Sequence, residues 1–205
     1  MAELRWRSDI GPAEVAKLSV GSMDNNVYLL AVGDEALLID GSNEADAILS
    51  ELGARTLRTI VQTHTHGDHI QALPDLVAKT QPRVLVHPSD AGRMPVEHTM
   101  LNDGETVSIG GIDLEVRHTP GHTPGSICLI LEADGRTHLF SGDTLFPGGP
   151  GGTFGDAEAF KTIMASLDEK LFVLPDDTHV YPGHGDDTSI GTERPHVEEW
   201  RARGW

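Results

Sequence analysis

The stretch that decides the fold of this chain is Thr63-His64-Thr65-His66-Gly67-Asp68-His69, which groups three imidazoles and one carboxylate at the spacing His-x-His-x-Asp-His. Both side-chain types bind divalent metal ions, and a catalytic zinc ion usually takes about three protein ligands and keeps one position for water. One backbone turn can therefore contribute to two ions. Because these side chains are too few to complete both coordination spheres, the sequence predicts further ligands elsewhere in the chain.

Three later segments each place one histidine or aspartate among turn-forming residues, and each adjoins a short apolar run. Glycine and proline make tight loops at strand ends, and such loops can aim one side chain repeatably at a point in space. The candidate ligands are His122 within Thr119–Gly125, Asp143 within Ser141–Thr144 and His184 within Tyr181–Gly185. We expect these loops to complete a preorganised metal site with the histidine turn.

Short aliphatic runs alternate with helical patterns along the whole chain, which is typical of an α/β protein. The runs predict strands at Val15–Val20, Val27–Val32, Ala36–Ile39, Thr59–Gln62, Val84–Val86, Thr106–Ile109, Ile112–Arg117, Ser126–Leu131, Thr137–Phe140 and Thr178–Tyr181. Helices are expected from a cap at Asn43 to Leu52, from Pro74 toward Lys79, over Ala157–Leu171, and from Thr192 onward. This order implies two β-rich halves with helices outside and with the ligand turns at strand ends.

Length and composition agree with one globular domain over residues 1–205. A hydrophobic content of 38% is enough for a substantial core. The N-terminus lacks an apolar signal region, and no segment approaches the roughly 20 apolar residues needed to cross a bilayer. We therefore expect a cytoplasmic protein that does not enter the membrane. Cys128, the only cysteine, lies in an apolar run and is expected to be a buried small side chain.

The net charge argues against nucleic acid as a partner. With 15 basic and 32 acidic residues the formal charge is −17, and no cluster of lysine and arginine offers a basic groove. Two divalent cations would offset only a small part of this charge. We expect a small-molecule substrate, and the sequence does not indicate an oligomeric state.

The arrangement His64-x-His66-x-Asp68-His69, followed by His122, Asp143 and His184, resembles the metallo-β-lactamase-fold superfamily over residues 40–185. The runs at 119–125 and 142–146 are similar to those of its glyoxalase II branch, the hydroxyacyl-thioester hydrolases. The resemblance implies an α/β fold, the four-layer αββα sandwich. It also implies a ligand set: His64, His66 and His122 for one metal ion, Asp68, His69 and His184 for the other, and Asp143 as the bridge.

The chemistry of such a centre follows from general principles. Two divalent ions that share a water lower its pKa toward about 7 and so present hydroxide at neutral pH, while one of them polarises the substrate carbonyl. Asp68 is a candidate for orienting that water in addition to its role as a ligand. Asp40 resembles the outer carboxylate of the family and would hold a ligand imidazole in one tautomer. A simple turn or capping role for Asp40 is the alternative.

The substrate is less well defined than the chemistry. Glyoxalase II enzymes carry a helical extension and a basic residue after the bridging aspartate that help to bind glutathione, whereas Phe146–Phe154 contains no lysine or arginine and little chain follows His184. We therefore expect a smaller or different acyl donor. The glycine-rich tract Gly148–Gly152 is expected to be a mobile loop beside Asp143, and an aspartate at 143, where β-lactamases of this fold use cysteine, argues against β-lactam hydrolysis.

Three reactions remain open from the sequence. The first is hydrolysis of a small thioester by two ions, most simply zinc, although iron or manganese suits the same ligands. The second is a persulfide dioxygenase reaction on one iron held by His64, His122 and Asp143, and the third is hydrolysis of a lactone or other ester. The histidines at 87, 118, 138 and 179 are expected to be structural, with contact to His122 from outside the ligand shell as the alternative for His118, and no role is assigned to His98 or His196.

Overall fold

The computed structural model describes residues 2–204. A first β-sheet contains seven strands: β1 Glu3–Ile10, β2 Ala13–Val20, β3 Asn25–Val32, β4 Glu35–Ile39, β5 Thr56–Val61, β6 Arg83–Val86 and β7 Thr99–Met100. These strands lie side by side in chain order. The pairs from β1 to β4 are antiparallel, and those from β4 to β7 are parallel. The sheet therefore begins as a meander and continues through crossover connections.

A second sheet contains six strands: β8 Thr106–Ile109, β9 Ile112–His118, β10 Ile127–Ala133, β11 Arg136–Gly142, β14 His179–Pro182 and β15 Thr188–Ser189. Their spatial order is β15-β14-β11-β10-β9-β8, and only the β11–β14 pair is parallel. The small strands β12 Leu145–Phe146 and β13 Gly149–Pro150 form a separate hairpin beside this sheet.

Helices cover the outer faces of both sheets. They are α1 Ala45–Leu52, α2 Gly67–Ile70, α3 Leu73–Thr80, α4 Ala157–Ser166, α5 Ile190–Glu193 and α6 Val197–Arg203, with 3-10 turns at Ala91–Arg93 and Arg194–His196 and a π-type turn at Leu167–Leu171. Helices α1 and α3 pack on the first sheet, whereas α4, α5 and α6 pack on the second. No helix among residues 2–204 is long and apolar enough to cross a membrane.

Strand β3 shows how the sequence separates the layers. Tyr28 and Leu30 point between the two sheets, where they join Phe140 and Tyr181 in a shared core. The alternate residues Val27, Leu29 and Ala31 face α1 and α3. Because side chains of a strand point alternately to opposite faces, a strand covered on both faces is apolar throughout. The predicted αββα sandwich is thereby confirmed.

Most predicted elements are confirmed, and the differences have local causes. Strand β1 was missed because its residues are mostly polar and exposed, as suits a sheet edge. The predicted cap at Asn43 is wrong: α1 begins at Ala45, and Glu44 occupies the cap position at φ 53°. Helix α4 widens into the π-type turn after Ser166, and the C-terminal helical region begins at Ile190 rather than at Thr192.

The glycine tract at 148–152, for which the sequence predicts a mobile loop, includes one strand of a short hairpin. Phe146 pairs with Gly149, and Leu145 pairs with Pro150. The Gly148 amide donates to the buried Glu193 carboxylate at 2.9 Å. A regular hairpin therefore follows Asp143.

The candidate ligands gather at one edge of the sandwich. Strands β4 and β5 run parallel, as do β11 and β14, so their carboxyl ends lie together within each sheet. Asp40 follows β4, the histidine turn follows β5, Asp143 follows β11 and His184 follows β14. Loops at these ends bring together residues that are far apart in the sequence.

Candidate metal centre

The histidine turn is held by side chains that bond to its backbone. Gln62 donates from Nε2 to the carbonyls of His64 and His69, at 3.3 and 3.0 Å. The buried Asp90 accepts from the Thr65 amide at 3.0 Å and from the Thr123 hydroxyl at 2.8 Å. These contacts fix the turn after β5 and tie it to the loop that carries the third candidate histidine.

The first donor set consists of His64, His66 and His122. One ring nitrogen from each lies within 4.8 Å of the others. His66 Nδ1 and His122 Nε2 are only 2.8 Å apart. His64 is fully buried, whereas His66 and His122 are partly buried. The three nitrogens therefore converge on one point from three directions.

The second donor set consists of Asp68, His69 and His184, which also lie within 4.8 Å of one another. His69 Nε2 and His184 Nε2 are 3.0 Å apart. Asp68 Oδ2 lies 3.5 Å from the first of these nitrogens and 3.4 Å from the second. Helix α2 presents Asp68 and His69 in one turn, and the loop after β14 supplies His184.

Asp143 lies between the two donor sets. Its Oδ2 is 3.4 Å from His122 Nε2 and 3.9 Å from His64 Nε2, both in the first set. In the second set, Oδ1 is 3.5 Å from His69 Nε2, and Oδ2 is 3.4 Å from His184 Nε2. One carboxylate thus faces both groups of nitrogens, as a bridging ligand must.

Hydrogen bonds on the far side of the rings fix which nitrogen faces the centre. His122 donates from Nδ1 to the Gly152 carbonyl at 2.8 Å, and His184 donates from Nδ1 to the Met23 carbonyl at 2.9 Å. His69 donates from Nδ1 to Asp40 at 3.0 Å. In the neutral form of each ring, Nε2 therefore carries a lone pair that points inward.

Converging lone pairs repel one another unless a cation lies between them. His64 Nε2 and Asp143 Oδ1 are buried atoms without a hydrogen-bond partner, and leaving such atoms unpaired is costly. Divalent ions such as zinc, iron and manganese bind groups of nitrogen and carboxylate oxygen donors like these two. The donor sets therefore fit metal ions.

The pKa values of these groups differ between the two sets. Burial lowers the pKa of His64 well below its usual value. Burial also opposes protonation of His69, but the carboxylates of Asp143 and Asp40 outweigh it and raise the pKa of this ring to about 9. The surrounding imidazoles, His69 first among them, overcome the effect of burial on Asp143 and hold its pKa well below the usual range. The second set thus attracts positive charge strongly.

Asp40 lies behind the centre. It is 1% exposed, and its φ of 64° is left-handed. Its carboxylate accepts from the Thr63 amide at 2.7 Å, from the Thr63 hydroxyl at 2.8 Å and from His69 Nδ1 at 3.0 Å. Asp40 also has a carboxylate oxygen within 4.8 Å of one ring nitrogen of His64 and one of His69, which is close enough for a shared metal ion. Because its oxygens already accept these bonds, its geometry matches the outer-carboxylate prediction.

Several groups that contact the donor sets have no sequence signature. Asn25, buried at the start of β3, donates from Nδ2 to Asp68 Oδ2 at 2.7 Å. The Thr63 hydroxyl lies 3.1 Å from His64 Nδ1. The carbonyls of Met23 and Gly152 orient His184 and His122 through the backbone, which any residue supplies. The sequence signal that Asn25 carries is its position as a polar residue at the head of an apolar strand.

The other residues considered from the sequence lie elsewhere. The rings of His87 and His118 stack with their centroids 3.9 Å apart. Among residues 2–204, the groups of side chains that could hold a metal ion do not include the histidines at 87, 98, 118, 138, 179 or 196. Tyr181 is part of the core between the sheets. Cys128 is fully buried, as predicted, and burial raises the pKa of its thiol to about 11. This thiol is therefore unsuited to act as a nucleophile.

Two aromatic rings flank the donor sets on opposite sides. Phe154 lies 5.7 Å from His66 and 6.0 Å from His122, measured between ring centroids. Phe146 lies 6.2 Å from His184. The centre thus has one aromatic side chain beside each set.

Comparison with known proteins finds relatives over most of the chain. A family model described as the metallo-beta-lactamase superfamily matches residues 20–184. The probable metallo-hydrolase YqgX of Bacillus subtilis is 33% identical and aligns over 93% of this chain and 95% of its own length. A hydroxyacylglutathione hydrolase of Polaromonas is 35% identical over 77% of this chain. The match spans only 60% of the length of that relative.

Solved structures also resemble this chain over most of its length. The crystal structure of ETHE1 from Myxococcus xanthus superposes with a TM-score of 0.78 and 33% identity, covering 89% of this chain and 82% of its own. The structure of TTHA1623 in a di-iron-bound form gives a TM-score of 0.73 and 29% identity, covering 87% of this chain and 96% of its own. The similarity of fold therefore extends over most of the chain.

Proposed function

The chain belongs to the metallo-beta-lactamase superfamily, and from that premise we propose that it is a metal-dependent hydrolase which cleaves a small thioester with water activated at two divalent ions. The observation that carries the proposal is the position of Asp143, whose two carboxylate oxygens face nitrogens of both donor sets at 3.4 to 3.9 Å.

We assign one ion to the first donor set, one to the second, and Asp143 to both. When bound, the ions would lower the pKa of a water toward about 7 and polarise the carbonyl of the substrate. Zinc is the simplest choice, and iron or manganese suits the same donors. The related structure in a di-iron-bound form supports a centre with two ions.

The chain's own residues orient the parts of this centre. Gly152 and Met23 hold His122 and His184 through their carbonyls, and Asp40 holds His69. Asn25 donates to Asp68, which leaves the other oxygen of that carboxylate to orient a water. Preorganised donors of this kind cost no rearrangement at the moment of reaction.

The reaction consumes one water. The water oxygen bonds to the thioester carbon, the carbon–sulfur bond breaks, and the thiolate leaves and takes up a proton, so that the products are a carboxylic acid and a thiol. No side-chain nucleophile is required. Similarity to hydroxyacylglutathione hydrolases supports a thioester, although the absence of a basic residue in Phe146–Phe154 argues for a carrier other than glutathione.

The test combines metal analysis with a thiol-release assay. Protein purified from its own host should contain two ions per chain, lose thioesterase activity on chelation and regain it when metal is restored. His122→Ala and Asp143→Asn should each lower kcat/KM by about a hundredfold or more while the far-UV spectrum is retained. His196→Ala, at an exposed ring outside both donor sets, is the matched control and should retain full activity.

Other outcomes would indicate other chemistry. Full thioesterase activity in metal-free protein would refute the proposal. One iron per chain with oxygen uptake on a persulfide would indicate a dioxygenase, and faster turnover of lactones than of thioesters would indicate a lactonase.

A further inference from the structure

A groove of about 600 Å³ begins at the first donor set and continues along α4. His122 belongs to its wall, and Pro120, Pro124, Phe154 and Ala159 contribute apolar surface. Pockets of roughly 300–1,000 Å³ are typical of small-molecule sites. The groove is therefore continuous with the candidate centre and large enough for one arm of a substrate.

Phe154 projects into solvent at the mouth of this groove. Its side chain is 81% exposed, and its φ of 54° is rare for a bulky residue. A hydrogen bond from the Asp156 amide to the Thr153 carbonyl, 3.0 Å long, closes the turn that presents it. Unusual backbone conformations persist where the surrounding structure holds them, and they cluster at functional sites. The turn thus fixes an exposed aromatic ring beside His66 and His122.

Away from the first donor set, the described part of the groove offers no cationic side chain to pair with an anion. Among the described residues, no lysine or arginine lines it, and its only carboxylate, Asp156, caps α4 by accepting from the amides of Glu158 and Ala159. Lys161, on the same helix, pairs with Glu158 at 2.5 Å. Along α4, a negatively charged arm would meet this acidic cap without a compensating cationic side chain, whereas an apolar arm would cover apolar surface.

We propose that this groove binds the acyl arm of the thioester and that this arm is apolar and uncharged, an inference that rests on the proposed function. A thioester has two arms, and common carrier thiols such as glutathione and coenzyme A are anionic. The carrier therefore lies outside the groove. Phe154 and Ala159 set the specificity for the acyl chain.

The chain-length dependence of hydrolysis tests this assignment on the metal-loaded enzyme. Acetyl, butyryl, hexanoyl and octanoyl thioesters of N-acetylcysteamine share one small neutral thiol. Full burial of one methylene group corresponds to about a fourfold change in kcat/KM. Because this groove is open to solvent on one side, each added methylene group should raise kcat/KM about twofold. Phe154→Ala should flatten this increase. Phe146→Ala, the same change beside His184, is the matched control and should leave the slope as it is in the wild type.

A charge introduced into the groove should change the preferred acyl group. The wild-type enzyme should favour butyryl over succinyl thioester. Ala159→Lys should shift this ratio toward succinyl by about tenfold, because its ammonium group would pair with the succinyl carboxylate in a partly desolvated groove. An unchanged ratio would contradict the placement of the acyl arm along α4.

Binding of inert thioethers separates the groove from the reaction. S-octyl-N-acetylcysteamine should bind at least about tenfold more tightly than its S-ethyl counterpart by calorimetry, and Phe154→Ala should reduce this difference. If thioesters are hydrolysed without dependence on chain length, the groove assignment is overturned and the proposed function stands. If no thioester is hydrolysed, the proposed function fails and the assignment of the groove to an acyl arm fails with it; the thioether comparison then shows only whether the groove binds an apolar chain.

Discussion

Asp40 and His69 form a buried pair in which the imidazole donates from Nδ1 to the carboxylate at 3.0 Å, so that Nε2 faces the second donor set. Both side chains are at most 2% exposed. Thr63 donates to the same carboxylate through its amide and its hydroxyl. The orientation of one candidate ligand is therefore determined by a residue that lies 29 positions earlier in the chain.

Asp40→Asn should weaken the second ion by about 10- to 100-fold, since removal of the partner of a ligand imidazole typically has this effect. The amide preserves the shape of the side chain and tolerates the left-handed backbone, so the fold should remain. Zinc competition with a chromophoric chelator measures both affinities. Asp134→Asn, at another left-handed aspartate but in a hairpin far from the centre, is the control. Equal weakening of both ions would contradict the assignment of His69 to the second set alone.

Metal binding should depend on pH differently at the two donor sets. His69, with its pKa raised to about 9, must release a proton to bind a metal ion, so affinity at the second set should fall about tenfold for each pH unit below 9. Burial lowers the pKa of His64 and of His66, so these two rings should bind a metal ion near pH 7 without releasing a proton. Calorimetry in two buffers of different ionisation enthalpy counts the protons. Identical pH slopes for both ions would refute this difference.

The sequence predicts the local part of the centre well because its signals are local. His64, His66, Asp68 and His69 share one turn, and His122 and His184 each follow a proline-glycine pair at a strand end. Glycine and proline specify such loops whatever the rest of the fold does. The candidate ligands could therefore be named from the sequence, together with the sandwich that positions them.

The groups around the ligands could not be predicted, because their roles arise only from contacts over long sequence distances. Asn25 reaches Asp68 across 43 positions, and Met23 and Gly152 contribute carbonyls that every residue possesses. Strand β1 was missed for a related reason: its residues are mostly polar, and its pairing with β2 defines it. Nothing in the residues near Phe154 indicates that this ring would be exposed.

A buried ion pair stabilises the loop that carries His184. Lys17, whose side chain is 4% exposed, donates to Asp187 at 2.7 Å and to the Gly185 carbonyl at 2.7 Å. Asp187→Asn should lower the free energy of unfolding at pH 7 by about 3 kcal/mol, because it leaves a buried ammonium without a counter-charge. Chemical denaturation measures the loss. Asp186→Asn, at the exposed neighbour, should change it by less than about 0.5 kcal/mol.

The same pair predicts how the stability of the protein responds to acid. Burial opposes ionisation of Asp187, but the His179 ring, 3.6 Å away, and the hydrogen bond from Lys17 outweigh it and lower the pKa of this carboxyl group. A depressed carboxyl pKa stabilises the folded state above the unfolded-state value and loses this effect as the pH falls through the folded-state value. The difference between wild type and Asp187→Asn should therefore shrink as the solution is acidified below pH 4. A difference that stays constant down to pH 2 would contradict the ionic origin.

Gly183 lies where a side chain would meet the bridging carboxylate. A β-carbon at this position would lie well inside van der Waals distance of Asp143 Oδ1 and 3.0 Å from His69 Cε1. Gly183→Ala should displace Asp143, lower the affinity for both ions together and reduce activity in proportion, since the carboxylate faces both donor sets. Gly67→Ala is a demanding control: it lies within the histidine turn, but its β-carbon would have no neighbour within 4 Å. Metal analysis of both variants decides the matter. Retention of two tightly bound ions by Gly183→Ala would contradict the assignment of Asp143 as the bridge. Loss of ions from Gly67→Ala would show that the effect of Gly183→Ala is not specific to its contact with Asp143.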